Sequence, residues 1–239
     1  MSMNVKVFVD NFKKAFGGTV ELPLVFWYSD SPALKTDKIN GCLFKGMKEA
    51  REGGVISLDA EVVGCGGGKY YCGFTELPDR IPGFVSQKEK YKKTPEMVTA
   101  FLTDLALSRA SKPYLNFTRV DKIERFDLVE GLVFFASPDV LTGLVAWTFF
   151  DNNESGAVTT SFGSGCSSII SEVVMENKKG GRRTFMGLFD PSVRPYVEAD
   201  KLSFAIPLSR FKEMYHTLTE CCLMDTHAWG KVRARINGE

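Results

Sequence analysis

Leu24-Val25-Phe26-Trp27-Tyr28-Ser29 and Leu132-Val133-Phe134-Phe135-Ala136-Ser137 decide how the chain is expected to fold. Both are short apolar and aromatic runs suited to buried strands. They agree at Leu, Val, Phe and Ser, and aromatic Trp27 is answered by aromatic Phe135. A helix is expected after each. Gly53-Gly54-Val55-Ile56 is then matched by Ser155-Gly156-Ala157-Val158, and both lead to a glycine-cysteine pair, Gly64-Cys65 and Gly165-Cys166. Gly73-Phe74 with Thr94-Pro95 resembles Gly187-Leu188 with Ile206-Pro207, each proline opening an apolar-faced helix. This shared order predicts an α+β fold of two similar halves, produced by an internal duplication and packed about a pseudo-twofold axis. The competing explanation is that short apolar strings recur by chance.

Working outward, residues 1–20 are expected as an N-terminal helix that lids the core, because Phe8, Phe12 and Phe16 recur every fourth position before Gly17-Gly18. The first repeat takes residues 21–110, a connecting strand and turn 111–125, the second repeat 126–222, and a C-terminal tail 223–239. Within the first repeat, Lys88, Lys90, Lys92 and Lys93 are interleaved with polar residues, the pattern of a solvated loop. Thr94-Pro95 then starts a helix with Met97, Val98, Phe101, Leu102 and Leu105 on its apolar face. Lys178, Lys179, Arg182 and Arg183 around Gly180-Gly181 predict an exposed, mobile hairpin.

Of 239 residues, 30 are Lys or Arg and 29 are Asp or Glu, so the net charge is +1. That balance argues against a surface for nucleic acid or anionic membrane, which needs a marked excess of cations. The most apolar window, Gly131 to Phe150, is interrupted by Ser137, Pro138, Asp139 and Gly143, so no transmembrane span is expected. The first residues carry Lys6, Asp10, Lys13 and Lys14 where a secretory signal needs an apolar run. A cytoplasmic location is expected, with the six cysteines as thiols. The oligomeric state is open.

Cys65 and Cys166 each follow a strand and a glycine and precede an expected helix. A thiol there meets unpaired N–H groups and the positive end of the helix dipole, which favour the thiolate. The same geometry receives anions, with Gly66 and Gly67, or Ser167 and Ser168, letting a phosphate or carboxylate approach the backbone. The bland alternative is two small buried residues at tight turns. Trp27, Tyr28, Phe134 and Phe135 on adjacent strands are expected to wall such a site. Cysteine spacing does not support a metal centre, although Cys42, Cys65, Cys72 and Cys166 can converge in space as four thiolates. The glycines at 64 and 66–68 are not a dinucleotide fingerprint, since position 69 is Lys69, and no G-x-S-x-G string is present.

The strings GCLFKGMKEAREGGVISLDAEVVGCGGGKYYCGF (41–74), SFGSGCSSIISEVV (161–174) and RPYVEADKLSFAIP (194–207) resemble the domain of unknown function 169 family, from about Leu22 to Leu218. The resemblance implies cysteines at positions matching Cys42, Cys65 and Cys166 and an Arg-x-Tyr pair at Arg194 and Tyr196. It implies no activity. The chain departs from the pattern where GLFDPSV (187–193) lacks a cysteine, which weakens a metal-cluster reading. Arg194 is expected as charge partner of a bound anion, with Tyr196 beside it.

Three functions stay open from the sequence. The first is binding of a small anionic or cofactor-like ligand near the two Gly-Cys turns. The second is a thiol-dependent enzyme or redox protein using Cys65 or Cys166. The third is a structural or partner-binding protein with no small-molecule site. No cofactor is identified.

Overall fold

Alternation along the central strands sets the architecture. In β1 (Leu24–Ser29), Leu24, Phe26 and Tyr28 point to one face while Val25 and Trp27 point to the other. In β4 (Gly131–Ala136), Val133 and Phe135 share the first face and Leu132, Phe134 and Ala136 the second. Both strands are apolar on both sides, so the sheet they form must be covered on both sides. The computed structural model describes residues 3–105, 107 and 109–239 and shows that arrangement.

The remaining strands are β2 (Val55–Leu58), β3 (Tyr114–Arg119), β5 (Val158–Thr160), β6 (Thr184–Gly187) and β7 (Leu202–Pro207), in the single sheet order β2-β3-β1-β4-β7-β6-β5. Every pairing is antiparallel except β5 with β6. The central pair β1 and β4 aligns Leu24 with Val133 and Phe26 with Gly131.

One face carries α1 (Val5–Phe16), α6 (Pro138–Phe149), α8 (Leu208–Thr217) and α9 (His227–Ile236). Asn4 caps α1, its side chain accepting from Val7 N–H at 3.0 Å, and Phe8, Phe12 and Phe16 bury the helix. Trp147 of α6 donates from Nε1 to Met214 O at 2.9 Å, and Trp229 of α9 donates to Ala15 O at 2.7 Å. These bonds give both buried indoles a polar partner. The segment expected as a tail is thus a docked helix.

The opposite face carries α2 (Phe44–Arg51), α3 (Gly66–Tyr71), the π-helical segment Ser167–Ser171 and α7 (Glu172–Lys178). Outside this layer lie the short helix α4 (Ile81–Gly83), a second π-helical segment Phe84–Lys88, and α5 (Pro95–Leu105). These three pack on one another as a lid.

The fold is mixed α and β, as expected. The strand-by-strand match of the two halves is not what the sheet displays. β2 is the antiparallel neighbour of β3, whereas β5 is the parallel neighbour of β6. The expected connection holds β3, which sits between β1 and β2. Gly73 occupies a left-handed turn at φ 80° after α3, while Gly187 ends a strand. The hairpin around Gly180 is tied down, because Arg183 pairs with buried Glu176 at 2.6 Å and Arg182 with Glu213 at 2.8 Å. Among the described residues no helix is long and apolar enough to cross a membrane.

Candidate functional site

The first cysteine turn is assembled by backbone bonds. Asp59 Oδ1 accepts from Glu61 N–H and Val62 N–H, both at 2.8 Å, and folds the chain after β2. Ile39 N–H then donates to Val62 O at 2.8 Å and Gly64 N–H to Ile39 O at 3.0 Å. Residues 39–42 therefore run beside 62–65. Cys65, at φ −80° and ψ 125°, is the N-cap of α3, and its sulfur accepts from Gly68 N–H at 3.5 Å. Three glycines open this six-residue helix, and Gly73 closes it with Phe74 N–H reaching back to Lys69 O at 2.9 Å.

The second turn differs. Cys166 has helical backbone angles, φ −66° and ψ −30°, and runs straight into the π-helical segment. Its hydroxyl neighbours are engaged internally. Ser167 Oγ donates to Glu172 at 3.1 Å and Ser168 Oγ to Gly165 O at 3.1 Å. The expectation of a thiolate here is corrected. Burial pushes the Cys166 thiol well up, and Cys72, Cys42 and Cys65 push it further, since ionising one thiol near others is unfavourable. Cys72 is raised by burial and Cys65, and Cys42 is raised chiefly by burial.

Cys72 and Cys166 lie in one core, with Cys42 packed against it, and the neighbouring contacts explain this. A side chain at Gly165 would meet the Phe44 ring at 3.1 Å, and Ser171 Oγ donates to Tyr71 O at 2.7 Å, which holds the second turn against the first. Among the described residues no group of three or more His, Cys, Asp or Glu side chains is arranged to hold a metal ion.

Between the lid and these turns lies a cavity of about 280 Å³. Its floor includes Cys65, Gly67 and Tyr71, and its roof Phe84, Val98 and Phe101. A third side is the loop Phe162-Gly163-Ser164. Tyr91 stacks edge-on against Phe162 with centroids 6.1 Å apart, and Phe101 leaves no room for a Cβ at Gly163, which would lie 2.6 Å from the ring. Lys92 Nζ sits 5.2 Å from the Phe101 centroid and 5.7 Å from that of Phe162, within cation–π range.

Asp190 completes the lining. It is 8% exposed, and its carboxylate accepts from Ser192 N–H and Ser192 Oγ, both at 2.9 Å. Leu188, two residues before Asp190, has φ 68°, an unusual value for a bulky residue.

The cavity thus gathers part of the expected set. Cys65 and Gly67 are at its wall. Gly66 faces Pro78 instead, 3.7 Å from where a Cβ would be. Cys166, Ser167 and Ser168 lie buried in the layer beneath. Arg194 is turned elsewhere: its guanidinium donates to Lys201 O, Glu198 O and Ala199 O at 2.6, 3.0 and 2.9 Å, clamping its own turn. Tyr196 is exposed, with Lys45 Nζ 5.4 Å from its ring. Trp27, Tyr28, Phe134 and Phe135 pack into the two cores and line no part of the cavity. The aromatic wall is Tyr71, Phe84, Tyr91, Phe101 and Phe162. Of these, only Phe101 is singled out by sequence spacing, as part of the apolar face of its helix.

A family model described as uncharacterised ArCR matches residues 23–217. Comparison with curated proteins and with solved structures gives no match. With cysteine turns, lid and Arg194 clamp all inside the matched span, the chain belongs to the domain of unknown function 169 family.

Proposed function

We propose that this protein binds a small organic ligand in the cavity between its lid and the Cys65 turn. One observation carries the reading: a cavity of about 280 Å³ with mostly apolar and aromatic walls and a few fixed polar groups, Cys65, Ser164, Asp190 and Ser192. That is the ordinary composition of a ligand site, at the small end of the size range. One π-helical segment, Phe84–Lys88, borders it through Phe84 and Val85, and such segments concentrate at functional sites. The anion receptor expected from the sequence has little to recommend it, since Arg194 is engaged by carbonyls and α3 is only one and a half turns long. The setting we assign is cytoplasmic, supported by six cysteines that are all unpaired.

Native mass spectrometry of the freshly purified chain tests the reading, beside a Val98→Trp variant that fills the cavity from the roof. We expect added small-molecule mass on the wild type that the variant lacks. Equal spectra, with no thermal stabilisation of the wild type by any compound of an aromatic fragment set, would overturn it.

A second reading, thiol chemistry, is favoured by Cys65 lining the same cavity. It rests on Cys65 alone, because burial works against the Cys166 thiolate. Iodoacetamide should label Cys222 and Cys65 ahead of Cys72 and Cys166, following exposure. Labelling of Cys65 no faster than that of Cys166 would end the thiol reading.

A further inference from the structure

The charges around the cavity are unbalanced in a way that specifies what it takes. Asp190 is more than nine-tenths buried, and among the described residues both of its oxygens accept only from the neutral Ser192. Among the described residues no lysine, arginine or histidine pairs with it. A buried carboxylate without a cation is costly, and the cost is relieved by any cation that enters. Glu89 adds a second acid at the same cavity, against the single positive charge of Lys92.

The aromatic wall favours the same sign. Ring faces carry negative potential and attract ammonium groups at about 6 Å or less. This wall already holds one, since Lys92 Nζ sits over Phe101 and Phe162 rather than on an acid. Tyr71, Tyr91 and Asp190 line the same cavity, which brings aromatic rings and carboxylate to one space.

We propose that the ligand is a small organic ammonium ion, an amine with an apolar or aromatic body, whose cationic end sits by Asp190 between the tyrosines while its body fills the space under Val98 and Phe101. This rests on the ligand-binding reading above and adds the sign of the charge. Lys92 competes for the same wall, so its ammonium opposes the ligand.

The test uses the intact chain and three probes of one shape, phenylpropylamine, phenylpropanol and phenylpropanoate, titrated by calorimetry. The amine should bind about tenfold more tightly than the carboxylate, with the alcohol between, as expected for one cation–carboxylate contact reinforced by aromatic faces. Asp190→Asn, which keeps an acceptor for Ser192, should abolish the preference for the amine. Lys92→Gln should tighten amine binding severalfold and weaken the carboxylate. Lys92 touches no buried acid, so this variant keeps the question open to test even where Asp190→Asn folds poorly. Equal binding of the three probes, preference for the carboxylate, or weaker amine binding in Lys92→Gln would overturn the ammonium assignment while leaving a ligand site intact. Binding of no probe at all also overturns it, and the broader reading falls only if the native spectra show no cavity-dependent mass.

Discussion

On the face covered by α1, α6, α8 and α9, Phe8, Phe12, Phe16, Trp147 and Phe211 are each at most 1% exposed, and the four phenylalanine rings meet in pairs at 4.6 to 5.7 Å. On the other face, in the lid and the loop facing it, Phe84 is 41% and Phe162 42% exposed, and their neighbours bound a cavity. Both sets are aromatic. What differs is whether the facing layer supplies a partner for every ring. Where it does, the rings stabilise the fold; where it stops short, they are left to receive something else. The largest expected difference follows. Trp147→Ala should cost about 3–5 kcal/mol, the usual range for a fully buried aromatic, and Phe162→Ala less than about 1 kcal/mol, as at a partly exposed position. Urea unfolding followed by circular dichroism measures both. Similar costs would erase the distinction between the two faces.

Charged groups sharpen the contrast. On the closed side, Arg210 is fully buried and pairs with Asp151 and Glu213 while donating to Thr148 O at 3.0 Å. The hydrogen bond from Arg210 holds the Asp151 carboxyl below its ordinary range, against a smaller opposing effect of burial. A depressed folded pKa contributes stability above the unfolded value near 3.9, lost as pH falls through the folded pKa. Asp151→Asn should therefore cost about 1–3 kcal/mol at neutral pH, the cost of stranding a buried donor. The gap from wild type should shrink below about pH 4. A gap that is constant across pH would mean that shape, not charge, holds this corner.

The same contrast explains what could be read from the sequence. β1 and β4 were legible because both are apolar on both faces up to Ser29 and Ala136, and α1 because Phe8, Phe12 and Phe16 share one stripe. β3 was legible as a strand of the connection 111–125, but not as an inner strand of the sheet, because Asn116 and Thr118 break its apolar run; their partners, Ser57 Oγ at 2.7 Å and Gly54 O at 2.8 Å, come from β2 and the turn before it. α9 read as a tail because Arg233 and Arg235 hide that they bind Lys14 O and Asp139 on other helices. At the site, the position of Cys65 after a strand and glycine was visible. Lys92 was not, because a lysine among lysines looks solvated until Phe162, seventy residues on, is folded against it. Cavities are left between segments remote in sequence, and no local pattern records the gap.

Glu172 supplies the smallest effect and the opposite sign. It is 8% exposed at the start of α7, on the cavity side of the sheet, and accepts from Ser161 Oγ at 3.0 Å and Ser167 Oγ at 3.1 Å. Burial raises its pKa, and the two serines and Arg183 offset this only in part. Below the unfolded value near 4.3 both states are protonated and the residue contributes nothing through charge. Above the folded pKa the ionised form costs the folded state, so stability is lost as pH rises. Glu172→Gln removes that cost but leaves one acceptor oxygen for two serine donors and ends the charge assistance to both bonds. The net gain at pH 7 should be less than about 1 kcal/mol, since the two terms oppose. Thermal unfolding of both proteins from pH 4 to 8 reads the sign directly: the variant should gain on the wild type as pH rises, where Asp151→Asn falls behind. If Glu172→Gln instead loses ground with rising pH, its carboxylate is stabilised in place. The cavity side of the sheet would then tolerate charge as well as the closed side does.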